Sequence, residues 1–116
     1  MEDLPLLLLH HVGARSGVER VTPLVYWPVT DQSVAVLASN YGAPRHPGWF
    51  YNLLANPTAT VELGPQTWKV HARVARADER ANLIHDMAAS PAVAAAIGRT
   101  SREIPVVVLD LLLVIS

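Results

Sequence analysis

The sequence contains no cysteine, and charged residues make up only 16% of its 116 positions. The missing thiols exclude disulfides, zinc–thiolate sites and cysteine nucleophiles. Their absence is also typical of a protein of the reducing cytoplasm, which is where we expect this chain to be located. No spacing typical of a metal-ligand set occurs among the histidines, and we predict no metal site. They are His10, His11, His46, His71 and His85.

Neither sign of charge is in excess. Nine basic and ten acidic residues give a net charge of −1, so there is no electrostatic reason to expect a nucleic-acid partner. Hydrophobic residues make up 51% of the chain, which excludes a disordered protein. The length is that of one domain, and we treat residues 1–116 as a single unit.

No apolar run reaches the roughly 20 residues of a membrane-spanning helix. "LPLLLL" (4–9) is too short, and the acidic Glu2 and Asp3 precede it where a signal peptide would be basic. "IPVVVLDLLLVIS" (104–116) is interrupted by Asp110, and its first half is predicted to be a buried strand. The sequence leaves open whether its end, "DLLLVIS", contacts a partner chain or the surface of a membrane.

Short apolar or alternating runs bounded by glycine and proline predict about six strands. A short helix over 47–55 follows strand three, and a helical pair (79–90, with Asp78 as N-cap, and 92–98) precedes the last strand. Short strands with little intervening helix favour a mostly β, α+β fold with a mainly antiparallel sheet or a small barrel. The predicted strands are Leu6–Val12, Val21–Val29, Ser33–Ala38, Thr58–Leu63, Thr67–Ala75 and Ile104–Leu109. Pro23 and Pro28 predict an edge, a bulge or a bend in the second of them.

One candidate binding segment is "GARSGVER" (13–20). Two glycines permit a tight turn with exposed amides, and Arg15, Ser16 and Arg20 add hydrogen-bond donors beside it. That combination suits a phosphate or a carboxylate. An ordinary hairpin with solvated arginines is the alternative, and these eight residues alone favour it.

A second candidate is "SNYGAPRHPGWFYNLLANP" (39–57), which holds three prolines, two glycines and four aromatic residues. A helix that begins near Pro47 would present backbone amides to an anion. Three adjacent aromatics, Trp49 to Tyr51, cannot all face inward on one helix, so at least one of them is predicted to be exposed. Ring binding and plain packing on the sheet remain equally supported here.

Motifs that perform chemistry unaided are missing from the sequence. There is no GxSxG, GxGxxG or Walker motif and no clustered carboxylate pair. If the protein is an enzyme, a cofactor therefore carries the reaction.

Three segments in order, "GARSGVERVTPLVY", "VAVLASNYGAPRHPGWFYNLLANPTATVEL" and "TSREIPVVVLD", resemble the deazaflavin-dependent nitroreductase and quinone reductase family of actinobacteria. The resemblance covers about residues 6–110. It implies a split β-barrel that binds reduced coenzyme F420, a deazaflavin with an anionic phospholactyl–polyglutamate tail. It also implies hydride transfer to quinones, nitroaromatics or other electron-poor acceptors.

The resemblance assigns cofactor-binding roles to residues in both candidate segments. The tail would lie on the turn with Arg20 beside it, the deazaflavin along the second strand, and the ring or ribityl chain against the end of the third strand. The start of the helix would close the site, with Trp49 as a wall. The residues implied are Ala14, Arg15, Ser16, Arg20, Val21, Thr22, Pro23, Leu24, Val25, Leu37, Ala38, Ser39, Asn40, Gly48, Trp49, Phe50, Tyr51 and Asn52.

Two departures from the family pattern bear on the chemistry. Arg15 stands where members usually carry lysine, which keeps the charge but changes its geometry. Relatives place tyrosines in the region 90–96, where "SPAVAAAIG" has none. A roomier, more apolar pocket would favour a bulky acceptor such as a quinone. No side chain is assigned as catalytic, and the phenols available as proton donors are Tyr26, Tyr41 and Tyr51.

Two alternatives keep the same architecture. One is a reductase that binds FMN, and the other is a protein that carries the deazaflavin without turnover. Split barrels are often dimers, so a homodimer is expected by analogy.

Overall fold

The computed structural model describes residues 5–116, so Glu2 and Asp3 lie outside the described part. Its strands are β1 (Leu6–Val12), β2 (Glu19–Val25), β3 (Trp27–Thr30), β4 (Ser33–Leu37), β5 (Thr58–Leu63), β6 (Gln66–Val74) and β7 (Val106–Val114). Its helices are α1 (Gly48–Ala55), α2 (Ala77–Met87) and α3 (Pro91–Gly98), with a 3-10 turn at Asn40–Gly42. All strand pairs are antiparallel, in the order β2-β1-β5-β6-β7-β4-β3. The predicted α+β class with an antiparallel sheet is confirmed.

Two hydrophobic cores lie on opposite faces of β4 and β7. Because successive strand residues point to opposite faces, Val36 and Leu109 enter the first core while Ala35 and Val108 enter the second. This double burial explains why both strands are continuous apolar runs. In the first core α1 packs on the inner face of the sheet, and in the second α2 and α3 pack on the outer face.

The predicted second strand, Val21–Val29, is two strands. β2 ends at Val25, the chain crosses over at Tyr26, and β3 then pairs with β4 at the opposite edge of the sheet. Pro23 and Pro28 therefore lie in edge strands, where a missing N–H is tolerated, and the β3–β4 register shifts between Pro28 and Thr30. The described part of the chain therefore has seven strands, where about six were predicted.

The last strand continues past the predicted end at Leu109 to Val114, because β6 pairs with it along this whole stretch. Asp110 is accommodated by Arg73, whose Nε donates to the carboxylate at 3.1 Å. Beyond Asp110 the apolar side chains are largely exposed. No helix within residues 5–116 has the length and hydropathy needed to cross a membrane.

The start of α1 lies one residue, and the start of α2 two residues, from the predicted position. Pro47 has extended backbone and directly precedes α1, whose first residue is Gly48. The prediction of Asp78 as N-cap was wrong, because α2 begins at Ala77 after the extended Arg76. Asp78 and Glu79 instead lie in the first turn, where carboxylates interact favourably with the helix dipole.

Arg102 holds the segment between β4 and α1. Its guanidinium donates to the backbone carbonyls of Ala38 (3.1 Å), Ser39 (2.8 Å) and Ala43 (2.9 Å). A further nitrogen lies 2.7 Å from Nδ1 of His46. Burial and the Arg102 charge lower the pKa of His46. The loop therefore reaches α1 in one fixed path.

Candidate functional site

An open cleft of about 840 Å³ lies between the β1–β2 hairpin and the first turn of α1. Both segments singled out in the sequence form its walls. Its lining residues are His11, Gly13, Ala14, Arg15, Ser16, Arg20, Thr22, Gly48, Trp49, Tyr51 and Asn52. Two arginines and no carboxylate stand among these described residues, so the cleft suits an anionic ligand.

The turn between β1 and β2 is closed by its own backbone. The Gly17 amide donates to the Gly13 carbonyl at 3.0 Å, and the Gly13 amide donates to the Val18 carbonyl at 2.9 Å. Gly17 has a φ of 69°, which glycine adopts without steric cost. Ser16 folds back, its hydroxyl accepting from the Val18 amide at 3.2 Å. The turn thus presents its Arg15 side chain to solvent and the cleft.

Arg15 and Arg20 approach the cleft from the turn and from β2. Within residues 5–116 neither guanidinium has a carboxylate within ion-pair distance. Arginine offers a planar fork that matches phosphate and carboxylate oxygens. Both charges are therefore available for an anion.

The N-terminus of α1 forms the opposite wall. Gly48 and Trp49 occupy the first turn, where backbone amides lack partners within the helix. Trp49 and Phe50 are buried, whereas Tyr51 is 49% exposed at the cleft. The expectation that at least one of the three aromatics would be exposed is confirmed. Trp49 belongs to the first core and also lines the cleft, so it packs on the sheet and serves as a wall.

His11 connects these walls and was missed in the sequence. It is 4% exposed, its Nε2 lies 2.8 Å from the Thr22 hydroxyl, and its Nδ1 lies 2.9 Å from Nδ2 of Asn52. The Asn52 Oδ1 in turn accepts from the Ala14 amide at 3.0 Å. One chain of hydrogen bonds thus joins β2, β1, α1 and the turn.

A signal for His11 was present in the strand alternation. His11 is in phase with Leu7 and Leu9, which are fully buried, whereas His10 points to the other face and contacts Glu62 and Glu19. Burial, followed by the charges of Arg20 and His10, lowers the pKa of His11 below its usual value of 6.5. The ring is therefore neutral at pH 7.

The structure brings half of the implied cofactor-binding residues into the cleft: Ala14, Arg15, Ser16, Arg20, Thr22, Gly48, Trp49, Tyr51 and Asn52. The others do not line it: Val21, Pro23, Leu24, Val25, Leu37, Ala38, Ser39, Asn40 and Phe50. Strand alternation turns Val21 and Pro23 outward, while Ala38 is fully buried in the first core. The cofactor-binding roles of both groups of residues stay predictions.

The three tyrosines differ in their surroundings. Tyr51 lines the cleft, Tyr26 packs against the first core, and Tyr41 is 87% exposed on the 3-10 turn. Tyr51 is therefore the phenol closest to any ligand in the cleft. No residue of α3, the region where relatives carry tyrosines, lines the cleft as described by residues 5–116.

Comparison with known sequences gives a consistent result. The sequence model of a family described as F420H(2)-dependent quinone reductase matches residues 1–110. A Mycobacterium tuberculosis protein named as an F420H(2)-dependent quinone reductase is 41% identical over 83 residues, 71% of this chain and 68% of that protein. A second from the same organism, with the same naming, is 42% identical over 69 residues, 60% of this chain but only 46% of the relative.

Solved structures agree with the architecture. One described as an F420-H2 dependent reductase superposes with a TM-score of 0.81 at 31% identity, covering 95% of this chain and 100% of the other. A structure described as a domain-swapped dimer superposes with a TM-score of 0.82 at 33% identity, covering 94% of this chain and 82% of the other. A heme storage protein from Vibrio cholerae superposes with a TM-score of 0.68, covering 96% of this chain and 84% of the other. At 14% identity this similarity shows the fold alone. The predicted split-barrel type of fold is confirmed.

Proposed function

Because the chain belongs to the F420H(2)-dependent quinone reductase family, we propose that its cleft binds reduced coenzyme F420 and presents it to a quinone-type acceptor. The family predicted from the sequence is confirmed, and with it an F420-dependent oxidoreductase. The FMN-binding and carrier alternatives drew on the architecture and on the missing tyrosines, and family membership favours neither.

The observation that carries the proposal is the charge of the cleft. The described residues that line it provide the Arg15 and Arg20 guanidiniums, the Arg15 and Ser16 amides of the turn and the N-terminus of α1, and no carboxylate. These donors fit the phosphate and carboxylates of the coenzyme tail. A neutral cofactor would leave two cations on the same wall of the cleft without a counter-charge.

The remaining residues of the cleft would orient a flat ring. Trp49 is held in place by the first core, and Tyr51 stands beside it with its ring 5.8 Å from that of His46. Side chains that are already fixed lose little conformational entropy when a ligand binds, and such a wall favours one orientation of the ring.

When bound, the reduced coenzyme supplies a hydride, and a quinone that accepts this hydride and one proton becomes a hydroquinone. Of the three tyrosines Tyr51 lines the cleft, and we propose its hydroxyl as one source of that proton. Water enters the open cleft and is the second source. The protein therefore binds the coenzyme, orients it and shields one side of it.

Gly48→Val will weaken coenzyme binding by at least about tenfold. Gly48 lines the cleft, and a Cβ there meets no atom within 4 Å, so the new side chain enters the space that the ligand needs. The dissociation constant, followed by coenzyme fluorescence, measures the effect. Gly98→Val is the matched control, since this helix-end glycine also has open space and lies away from the cleft. Equal weakening in both variants would contradict the assignment of the cleft.

Turnover tests the function itself. Reduced coenzyme F420 is mixed anaerobically with menadione, with and without the protein, and oxidation of the coenzyme is followed by its absorbance. We expect the protein to accelerate oxidation of the reduced coenzyme. We expect no comparable protein-dependent acceleration with reduced FMN. Coenzyme that binds but is not oxidised by menadione or a nitroaromatic would identify a carrier instead. Tight binding of FMN without binding of F420 would overturn the cofactor.

A homodimer is the proposed assembly. The outer face of β1 and β2 exposes Leu6, Leu8, Val12, Val21 and Pro23, and a structure 33% identical is described as a domain-swapped dimer. Light scattering after size exclusion tests the proposal. A monomer over the whole accessible concentration range would contradict it.

A further inference from the structure

The hydrogen bonds around His11 allow only one assignment of donors and acceptors. The Ala14 amide can only donate, so the Asn52 side chain must present Oδ1 to it. Nδ2 of Asn52 then faces Nδ1 of His11 and donates to it. Nδ1 must therefore be unprotonated, which leaves the ring proton on Nε2, where it is donated to the Thr22 hydroxyl.

We propose that His11 is a positioning residue for the anion-binding turn. Its neutral, Nε2-protonated ring holds the Asn52 amide in the orientation that anchors the Ala14 backbone. Ala14 directly precedes Arg15, so the anchor sets where the arginine leaves the turn. The His11 side chain acts on the turn through Asn52, a residue of another element 41 positions away.

The surroundings of His11 favour the neutral ring. Arg20 lies opposite it across the β1–β2 pair and His10 lies beside it in the chain, while Arg15 on the turn and Tyr51 on α1 line the same cleft. No carboxylate stands among the described residues that line the cleft. Burial is the largest cause that lowers the pKa of the ring, and the charges of Arg20 and His10 add to it.

Protonation would break the anchor. A proton on Nδ1 places two donors face to face, His11 Nδ1–H and the Asn52 amide nitrogen. Flipping the Asn52 amide relieves that conflict but turns its nitrogen toward the Ala14 amide, which is also a donor. Either way one hydrogen bond is lost. Since the folded-state pKa is lowered, the anchor is complete above pH 6.5 and is lost as pH falls through the folded-state pKa.

Two measurements on the ligand-free protein test the proposal. Ring nitrogen shifts of ¹⁵N-labelled protein report the tautomer of His11, and we expect the Nε2-protonated form at pH 7. Hydrogen exchange of the Ala14 amide reports the anchor, and we expect protection that falls about tenfold or more in His11→Leu. In His11→Gln, whose side chain can both accept from Asn52 and donate to Thr22, we expect much of that protection to return.

His10→Leu is the matched control, because it removes the neighbouring ring from the opposite face of β1. Ala14 protection should stay at the wild-type level in this variant. An Nδ1-protonated His11, or unchanged Ala14 protection in folded His11→Leu, would overturn the proposal. If His11→Leu does not fold, the wild type provides the test. An Nε2-protonated ring at pH 7 with loss of Ala14 protection at low pH would support the proposal, and the absence of either would overturn it.

The consequence for the coenzyme rests on the proposed function. We expect His11→Leu to weaken coenzyme F420 roughly fivefold to tenfold, the equivalent of one lost hydrogen bond, and His11→Gln to recover part of it. Lost Ala14 protection with unchanged coenzyme affinity would refute the positioning role. If the wild type itself did not bind the coenzyme, the proposed function would fail, while tautomer and exchange would still test the anchor.

Discussion

Replacing both Arg15 and Arg20 with alanine will weaken binding of coenzyme F420 by about a hundredfold or more at low salt. A hydrogen bond to a charged group contributes about 1.5–3 kcal/mol, and solvent screening in an open cleft reduces the sum of two to roughly 3 kcal/mol. The loss should shrink as salt is added, because the wild type itself then binds less tightly. Coenzyme fluorescence at several ionic strengths measures both effects.

A control with the same change of net charge separates local contacts from the overall field. Lys69 and Arg76 are exposed and lie outside the cleft, so Lys69→Ala with Arg76→Ala removes two positive charges elsewhere. This variant should bind within about threefold of the wild type, since distant exposed charges are screened. If the two double variants lose the same affinity, or if the first loses none, the turn is not the tail site.

Gly42→Ala will lower the free energy of unfolding by about 2–5 kcal/mol. Gly42 has a φ of 81°, and a Cβ there would lie 2.6 Å from the Arg99 Cβ and 2.8 Å from the Ala96 carbonyl oxygen. The left-handed backbone costs a non-glycine residue about 1–2 kcal/mol, and overpacking adds about 1–3 kcal/mol. Both contacted atoms are anchored to α3, so the helix must move.

Gly64→Ala is the matched comparison for this variant. Its φ of 56° imposes a similar backbone strain, but a Cβ there meets no atom within 4 Å. We expect it to lose only about 1–2 kcal/mol. Urea unfolding of both variants gives the difference, and equal losses would show that the contact with α3 is not tightly packed.

The sequence predicted those parts of the fold that local signals determine. β4 and the first half of β7 were evident as apolar runs because both faces are buried, and α1 was evident because Pro47 and "NP" at 56–57 bound it. The break between β2 and β3 at Tyr26 was not evident, because it depends on the curvature of the whole sheet, in which β2 and β3 lie at opposite edges. The extension of β7 likewise depends on pairing with β6, which is distant in the chain.

The candidate site was predicted to a similar extent and for similar reasons. Glycines beside arginines and a proline-started helix are local patterns, and both segments meet at the cleft. His11 was missed because its partners, Thr22 and Asn52, become neighbours only when the chain is folded. A continuous stretch such as 21–25 could not line one wall with every side chain, because alternate strand residues face away.

Hydrogen exchange of the whole chain, with and without saturating coenzyme F420, tests most directly whether this cleft is the cofactor site. We expect slower exchange in two separated segments, residues 13–20 and 48–52, with little change in α2 and at the C-terminal end of β7. Protection that extends into 37–40 would place the ring of the coenzyme against the end of β4 as well. Protection elsewhere, with neither 13–20 nor 48–52 affected, would contradict the assignment of the cleft.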